Sequence, residues 1–340
     1  MNIMLTCAGR RNYLIKFFQA ELKERGHVFA GDASADAPTL QEADKRFVLP
    51  SVNHIDYLDT LLELCQQHQI RLLIPLNDLE LPLLARQRDR FLKIGTLVVI
   101  SSPDVIDICY DKWATFQFLK NHSIPTAKTY LSLVEARQAL MRGEIAFPLV
   151  VKPRWGSASI GIVYPEDDEE LELAYRFVKK NIFKTFLSEV SASDPERCVL
   201  IQERLSGQEY GLDIINNLEG RYINTFVKHK LVMRAGETDR AVTVENDQLK
   251  NLGEAIGQKL SHVGNLDCDA IASSNGFYVL EMNPRFGGGY PFSHLAGANL
   301  PAALIAWANG EQPDEHWFRV KANVKSSKCD RIVTIYSNLG

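Results

Sequence analysis

The run VLEMNPRFGGGY, residues 279–290, carries a carboxylate at Glu281 and a carboxamide at Asn283, followed by Arg285 and three glycines. Alternate residues of a strand project from one face, so both oxygen donors leave the same side, an arrangement suited to a cation. Just upstream, LDCDAIASSNG repeats the pattern with Asp267 and Asp269, and a turn at SSNG would set the two strands side by side as a hairpin. Four oxygen-bearing side chains then converge. Magnesium prefers such oxygen-only sets, holding one or two carboxylates and completing its octahedron with phosphates and water. A solvated strand face is the simpler reading for any one position; the cluster, with Pro-Arg-Phe-Gly-Gly-Gly behind it, favours the ion.

A phosphate chain needs cations and a cover. Lys152 ends the apolar run FPLVVK, and Gly156, Ser157, Ser159 and Gly161 follow in WGSASIG, where backbone amides and small side chains can fold over phosphates. The order GxxxxGK[ST] is absent, so this is no P-loop; alone, a Gly/Ser turn reads only as a hairpin. In VLIQERLSGQEY, the stretch Gln202, Glu203, Arg204, Leu205 offers backbone groups to an adenine edge, and Glu209 is placed to accept from ribose hydroxyls. Taken singly, these residues read as a surface hairpin with solvated glutamates.

Arg10 and Arg11 follow the first strand, at the carboxyl edge where open α/β sheets bind ligands. They are candidates to clamp a substrate carboxylate or phosphate, against the plainer reading of solvated arginines. Asn77, Asp78 and Glu80 follow another strand near the same edge and are candidates to receive an amino group, with N-capping of the next helix by Asn77 or Asp78 as the alternative. Gly287, Gly288 and Gly289 would let a substrate approach the backbone. The stretch RAGETDRAVTVEN, with Arg234, Thr238 and Arg240, reads as a long polar loop whose length suggests binding.

These residues must be positioned by elements. NIMLTC, VFAGD, RLLIPL and TLVVIS alternate with helical-period stretches, a βα rhythm that predicts a parallel sheet with helices on both faces. Gly26 is expected to close the first helix in a left-handed conformation. Asp32 ends the second strand where a dinucleotide fold places its ribose-binding carboxylate, but CAGRRNYL holds one glycine instead of GxGxxG. From residue 111 the pattern becomes α+β, with antiparallel strands at hairpin spacings and helices over 112–122 and 248–263.

Composition narrows the classes. The 340 residues, 46% hydrophobic and 24% charged, suit a multi-domain globular chain. A formal net charge of -4 gives no nucleic-acid or lipid-surface footprint. The six cysteines stand singly and no charged-then-apolar signal segment opens the chain, so a reduced, cytoplasmic compartment is expected. No apolar run is long enough to span a membrane, and the eight histidines include no HExxH.

With LEMNPR, VVKP and its glycine loop, and QERLSGQEY in this order, roughly residues 1–310 resemble the ATP-grasp superfamily, specifically its carboxylate-amine ligases and carbamoyl-phosphate-synthase-like members. The resemblance implies a mixed α/β and α+β chain: an N-terminal parallel-sheet, Rossmann-like domain (1–110), a small lid subdomain (111–205), an antiparallel-sheet C-terminal subdomain with the metal site (206–311), and a tail (312–340). It implies ATP and Mg2+ as cofactors, with Mn2+ as a substitute. Lys112 and Lys152 would contact the nucleotide, Gln202, Glu203 and Leu205 would line the adenine pocket, and Glu209 would hold the ribose. Asp269, Glu281 and Asn283 would ligate magnesium, Asp269 being a shorter arm than the Gln or Glu often found there. Arg285, with Lys152 and Arg240 or Lys228, would stabilise the transferred phosphoryl group. The implied activity joins a small-molecule carboxylate to an amine through an acyl phosphate; carboxy phosphate or carbamate chemistry, and a non-catalytic ATP-binding regulatory subunit, are the alternatives. The final apolar run, RIVTIYSNL, needs something to cover it, which leaves a larger parent chain or a partner domain open; a homodimer is a further expectation.

Overall fold

The computed structural model describes residues 1–156, 161–185 and 187–336. Their first sheet is parallel, with β1 (Asn2–Thr6), β2 (Val28–Asp32), β3 (Lys45–Val48), β4 (Ile70–Pro75) and β5 (Leu97–Val98) in the order β3-β2-β1-β4-β5. Alternation along β1 fills two cores. Ile3 and Leu5 pack with Leu14, Ile15 and Phe18 of α1 (Asn12–Leu22), whereas Met4 packs with Leu61 of α2 (Tyr57–Gln67) and Leu84 of α3 (Leu81–Lys93). Helices therefore cover both faces, as the βα rhythm predicts. Gly26 does not play the expected part: the left-handed residue closing α1 is Lys23, at φ 52°. Gly26 is needed because a Cβ there would collide with the Met1 backbone.

Two helices lead into the second half. α4 (Pro103–Tyr110) is capped by Ser102, and α5 (Lys112–Asn121) by Asp111, whose carboxylate accepts from Trp113 N at 2.9 Å. A small antiparallel sheet follows in the order β6-β8-β7, made of β6 (Thr129–Tyr130), β7 (Leu149–Pro153) and β8 (Val199–Glu203). Ala136 and Ala139 of α6 (Leu133–Met141) and Leu171, Ala174 and Val178 of α7 (Asp168–Ile182) pack on Leu149, Val151 and Ile201 of this sheet. A short helix, α8 (Ser188–Ser191), precedes β8.

The third sheet is antiparallel throughout, in the order β13-β12-β9-β10-β11-β14. It comprises β9 (Gln208–Asn216), β10 (Tyr222–Arg234), β11 (Glu237–Thr243), β12 (Gly264–Ser273), β13 (Gly276–Asn283) and β14 (Lys325–Ser327). One face is apolar: Leu212, Ile214, Val227, Leu266 and Cys268 pack on Leu249, Ile256 and Leu260 of α9 (Asp247–Leu260). The period-2 pleat sends Asp213, Lys228, Asp267 and Asp269 to the opposite face. α10 (Tyr290–Leu295) and α11 (Leu300–Ala308) return the chain to the first sheet, where Leu300 and Leu304 join the α1 core.

Two sequence readings change here. RAGETDRAVTVEN is no loop: it is largely a hairpin, turning at Ala235 and Gly236, both at positive φ, so that β11 lies between β10 and β14. The tail is not separate from the third sheet, since β14 pairs with β11. Its final apolar run forms no strand among the described residues, and Ile332 is exposed. Among the described residues, no helix is long and apolar enough to cross a membrane.

Candidate active site

The β12–β13 hairpin forms as expected, and a bulge between Asp269 and Ala270 sets Asp269 opposite Glu281 and Asp267 opposite Asn283. All four line a cleft of about 230 Å³ between the third sheet and the carboxyl end of β4. Each acid meets a cation. Lys230 Nζ lies 2.6 Å from Asp269 Oδ1 and Lys112 Nζ lies 3.6 Å from Glu281 Oε1. Arg285 grips Asp78 through two hydrogen bonds of 3.0 and 2.9 Å and reaches Asp267 at 3.2 Å. Burial pushes the Asp269 carboxyl up to about 6 while Lys230 pulls it down and Asp267 pushes it up again. Burial alone would lower the Arg285 guanidinium, but Asp78 and Asp267 outweigh it and hold the charge.

Among the described residues, no three His, Cys, Asp or Glu side chains form a ready-made metal cluster. The donor chemistry nevertheless fits a hard divalent ion: two carboxylates and a carboxamide face one cleft, and they offer oxygen only.

Across the cleft, Lys152 ends near Gln202, whose Oε1 accepts from Nζ at 2.9 Å while its Nε2 donates to Thr129 Oγ1 at 2.8 Å. Burial, and then the charge of Lys112, push Lys152 down to about 8, with Glu281 pulling the other way. Lys112 also donates to the Gly156 carbonyl. Its place is fixed by Arg154, whose carbonyl accepts from Lys112 N at 3.1 Å and whose guanidinium binds Asp111 at 2.8 and 2.6 Å and stacks over Trp155. Gly161 has φ 70° and lies against Pro153; Ser157 and Ser159 lie outside the described residues. Glu203 accepts from Lys128 N through its carboxylate at 3.1 Å and donates its own backbone N–H to the Lys128 carbonyl at 2.9 Å. Leu205 is half-buried in the link between β8 and β9, and Glu209 is exposed on β9.

Several candidates are placed otherwise than the sequence suggested. Asp78 is no free amine receptor, because Arg285 occupies it. Glu80 is fully buried and accepts from Tyr57 OH at 2.7 Å and Leu76 N at 3.0 Å, so it serves the fold. Asn77 neither caps α3 nor stands free: its Oδ1 accepts from Leu79 N at 3.0 Å, although it lines the cleft. Arg240 is exposed on β11 opposite Ser327 and does not line the cleft, because the hairpin aims it away. Arg10 is exposed, 3.7 Å from Asp330, whereas Arg11 lines the cleft. Asp32 accepts from Gly9 N at 2.8 Å and Ser34 N at 2.9 Å, so it closes the first βα turn. Gly288 lies against Glu237, and Gly287 is obligatory: a Cβ there would overlap the Asp267 carboxylate.

Sequence reasoning passed over Lys230 and Arg154. The signal for Lys230 was KHK within an apolar strand, which sends Lys228 and Lys230 to one face. Gly211 beside them leaves room for both side chains. Lys228 is wholly buried, with Nζ 2.6 Å from Asp213 Oδ2. A separate groove of about 670 Å³ between α5 and α6 contains none of the predicted site residues.

A parallel sheet followed by a small and then a larger antiparallel sheet defines the class of fold. The chain belongs to the ATP-grasp family: residues 109–289 match the ATP-grasp domain, and residues 3–99 match the PylC-like N-terminal domain. It is 24% identical over 262 residues to the arginine-specific large chain of carbamoyl phosphate synthase from Bacillus subtilis, covering 72% of this chain and 24% of that one. The chain thus spans about a quarter of the length of the curated relatives it matches. Among solved structures, it resembles the biotin carboxylase domain of 2-oxoglutarate carboxylase from Hydrogenobacter thermophilus, in complex with MgADP and bicarbonate (TM-score 0.73, 18% identity, covering 95% of this chain and 73% of that one). It also resembles the L-amino acid ligase from Bacillus licheniformis (TM-score 0.66, 16% identity, 89% and 74%).

Proposed function

We propose that the protein is an ATP- and magnesium-dependent ligase that activates a small-molecule carboxylate as an acyl phosphate and passes the acyl group to an amine. The observation that carries this reading is the convergence on one cleft of Asp269, Glu281, Asn283 and Arg285, with Lys112 Nζ 3.6 Å from Glu281. Family membership and the likeness to an MgADP complex and to an amino acid ligase support it.

Asp269, Glu281 and Asn283 would hold the magnesium, which supplies positive charge to the phosphate oxygens. Lys112 and Lys152 bind phosphate oxygens, Gln202 orients Lys152, and the backbone of Glu203 with Leu205 receives the adenine. Glu209 accepts from the ribose. The acid's carboxylate oxygen attacks the γ-phosphorus, the bond to the bridging oxygen breaks, and ADP leaves with the electron pair. Arg285, anchored by Asp78 and Asp267, stabilises the charge on the equatorial oxygens. The amine nitrogen then attacks the acyl carbon, phosphate departs, and the nitrogen loses a proton. Residues 1–110 would contribute the acceptor side, 111–205 the cover and 206–311 the metal-bearing sheet. Arg240 and Arg10 are left out of this scheme.

Hydroxylamine in place of the amine tests the chemistry, since it converts an acyl phosphate to a hydroxamate. Acid-dependent ADP release with hydroxamate formation is expected. ADP release that ignores every acid, with no hydroxamate, would refute the ligase reading.

A further inference from the structure

The cleft opens into a larger cavity of about 760 Å³, and the two share Arg11, Glu237 and Thr238. A molecule seated in the larger space can therefore present one end to the smaller. One wall is apolar: Tyr13 and Phe17 from α1 meet Pro291, Phe292 and Leu295 from α10. It is also rigid, because Phe17 stacks on His294 with ring centroids 3.6 Å apart and Phe292 is buried. The facing wall is the β10–β11 turn with the residues after β14, pinned by Arg234 on Asp330 at 2.7 Å and Lys328 on Glu237 at 2.9 Å.

Charge at the junction is unbalanced. Glu237 is answered by Lys328, and Arg234 by Asp239 and Asp330. Arg11 has no ion pair among the described residues, and its Nε is buried without a hydrogen-bond partner. Arg11 lines both cavities, and an anion at the junction would pair with its charge.

We propose that the acid activated here is an organic acid with an apolar body, an aryl or branched alkyl group lying on the Tyr13–Phe17–Phe292 wall, its carboxylate held by Arg11 at the mouth of the cleft. This rests on the ligase reading and deepens it. Bicarbonate has no body to seat in the larger cavity, and an acid without an apolar group would leave the Tyr13–Phe17–Phe292 wall uncovered while only the charged facing wall met its polar groups.

The test follows ADP release from MgATP with hydroxylamine as acceptor, comparing 3-phenylpropionate and 4-methylpentanoate with glycolate and bicarbonate. The apolar acids are expected to exceed the other two in kcat/KM by about tenfold or more, the worth of burying one large apolar group. Arg11→Met should raise KM for 3-phenylpropionate by about tenfold or more while leaving the MgATP affinity unchanged. Leu295→Glu, at the exposed rim, should lower use of the apolar acids alone and serves if Arg11→Met fails to fold. If MgATP binds in calorimetry but ADP release answers to glycolate or bicarbonate, or to neither apolar acid, the assignment of the cavity is overturned while the nucleotide site stands. If MgATP does not bind, both fall.

Discussion

Glu281 and Asp269 face one another across two strands, and each is already held by a lysine, so the negative charge needed for a metal is present but neutralised. Glu281→Gln keeps the side-chain volume and removes the charge; ADP release should fall by about 10²–10³-fold, with the melting temperature little changed. Activity near the wild-type level in that variant would remove Glu281 from the site. A second residue contributes to the loss of stability in acid. His262 is fully buried with Nε2 2.9 Å from the Ile214 carbonyl, and burial pushes it down from 6.5 to about 4 against the upward pull of the Ile214 and Gly264 backbone. The unfolded chain takes up this proton near pH 6.5 and the folded one only near 4. Unfolding therefore binds the proton across that window, and stability is complete above it and falls as pH drops through it. By its lower end the loss is about 3 kcal/mol. Urea unfolding at about pH 7.5 and about pH 4.5 should show His262→Gln losing less stability over this interval than the wild type.

The β12–β13 hairpin was legible from the sequence, because alternation of Asp267, Asp269, Glu281 and Asn283 with apolar residues fixes the faces; the bulge between Asp269 and Ala270, which sets the register of the acids, carried no such signal. The β10–β11 hairpin was not. Its end is charged and exposed, so no apolar face announces it, and one of its pairing partners, β14, comes from far along the chain. Arg285 stands out in the sequence as a candidate, but its grip on Asp78, 207 residues away, carries no local signal. The same is true of Asp111, which caps α5 and also receives Arg154, both side chains being largely buried. Asp111→Ala should therefore cost more than the ~1 kcal/mol of a lost cap, on the order of 3 kcal/mol, because it strips a buried guanidinium of its main partner. Since α5 begins with Lys112, the apparent affinity for ATP should weaken with it. Denaturant unfolding and ATP titration of the variant check the two effects, and a loss no larger than the cap would show that Asp194 alone satisfies Arg154.

The small sheet and the large one are tied by the bridge of Thr126 to Val279 and by the link between β8 and β9. The parallel sheet and its helix layers were legible from periodicity alone. The larger cavity was not, since it is built from α1, α10, the β10–β11 turn and the tail, elements that only the folded chain brings together. At this scale one claim supports the rest, that the acids of the β12–β13 hairpin receive a triphosphate only through a divalent ion. Calorimetric titration of ATP into the protein, with magnesium and then with excess chelator, measures it directly. Binding with magnesium, weakened by about tenfold or more on chelation and on Glu281→Gln, is expected. Equal affinity under all three conditions, or nucleotide binding in none, would contradict it.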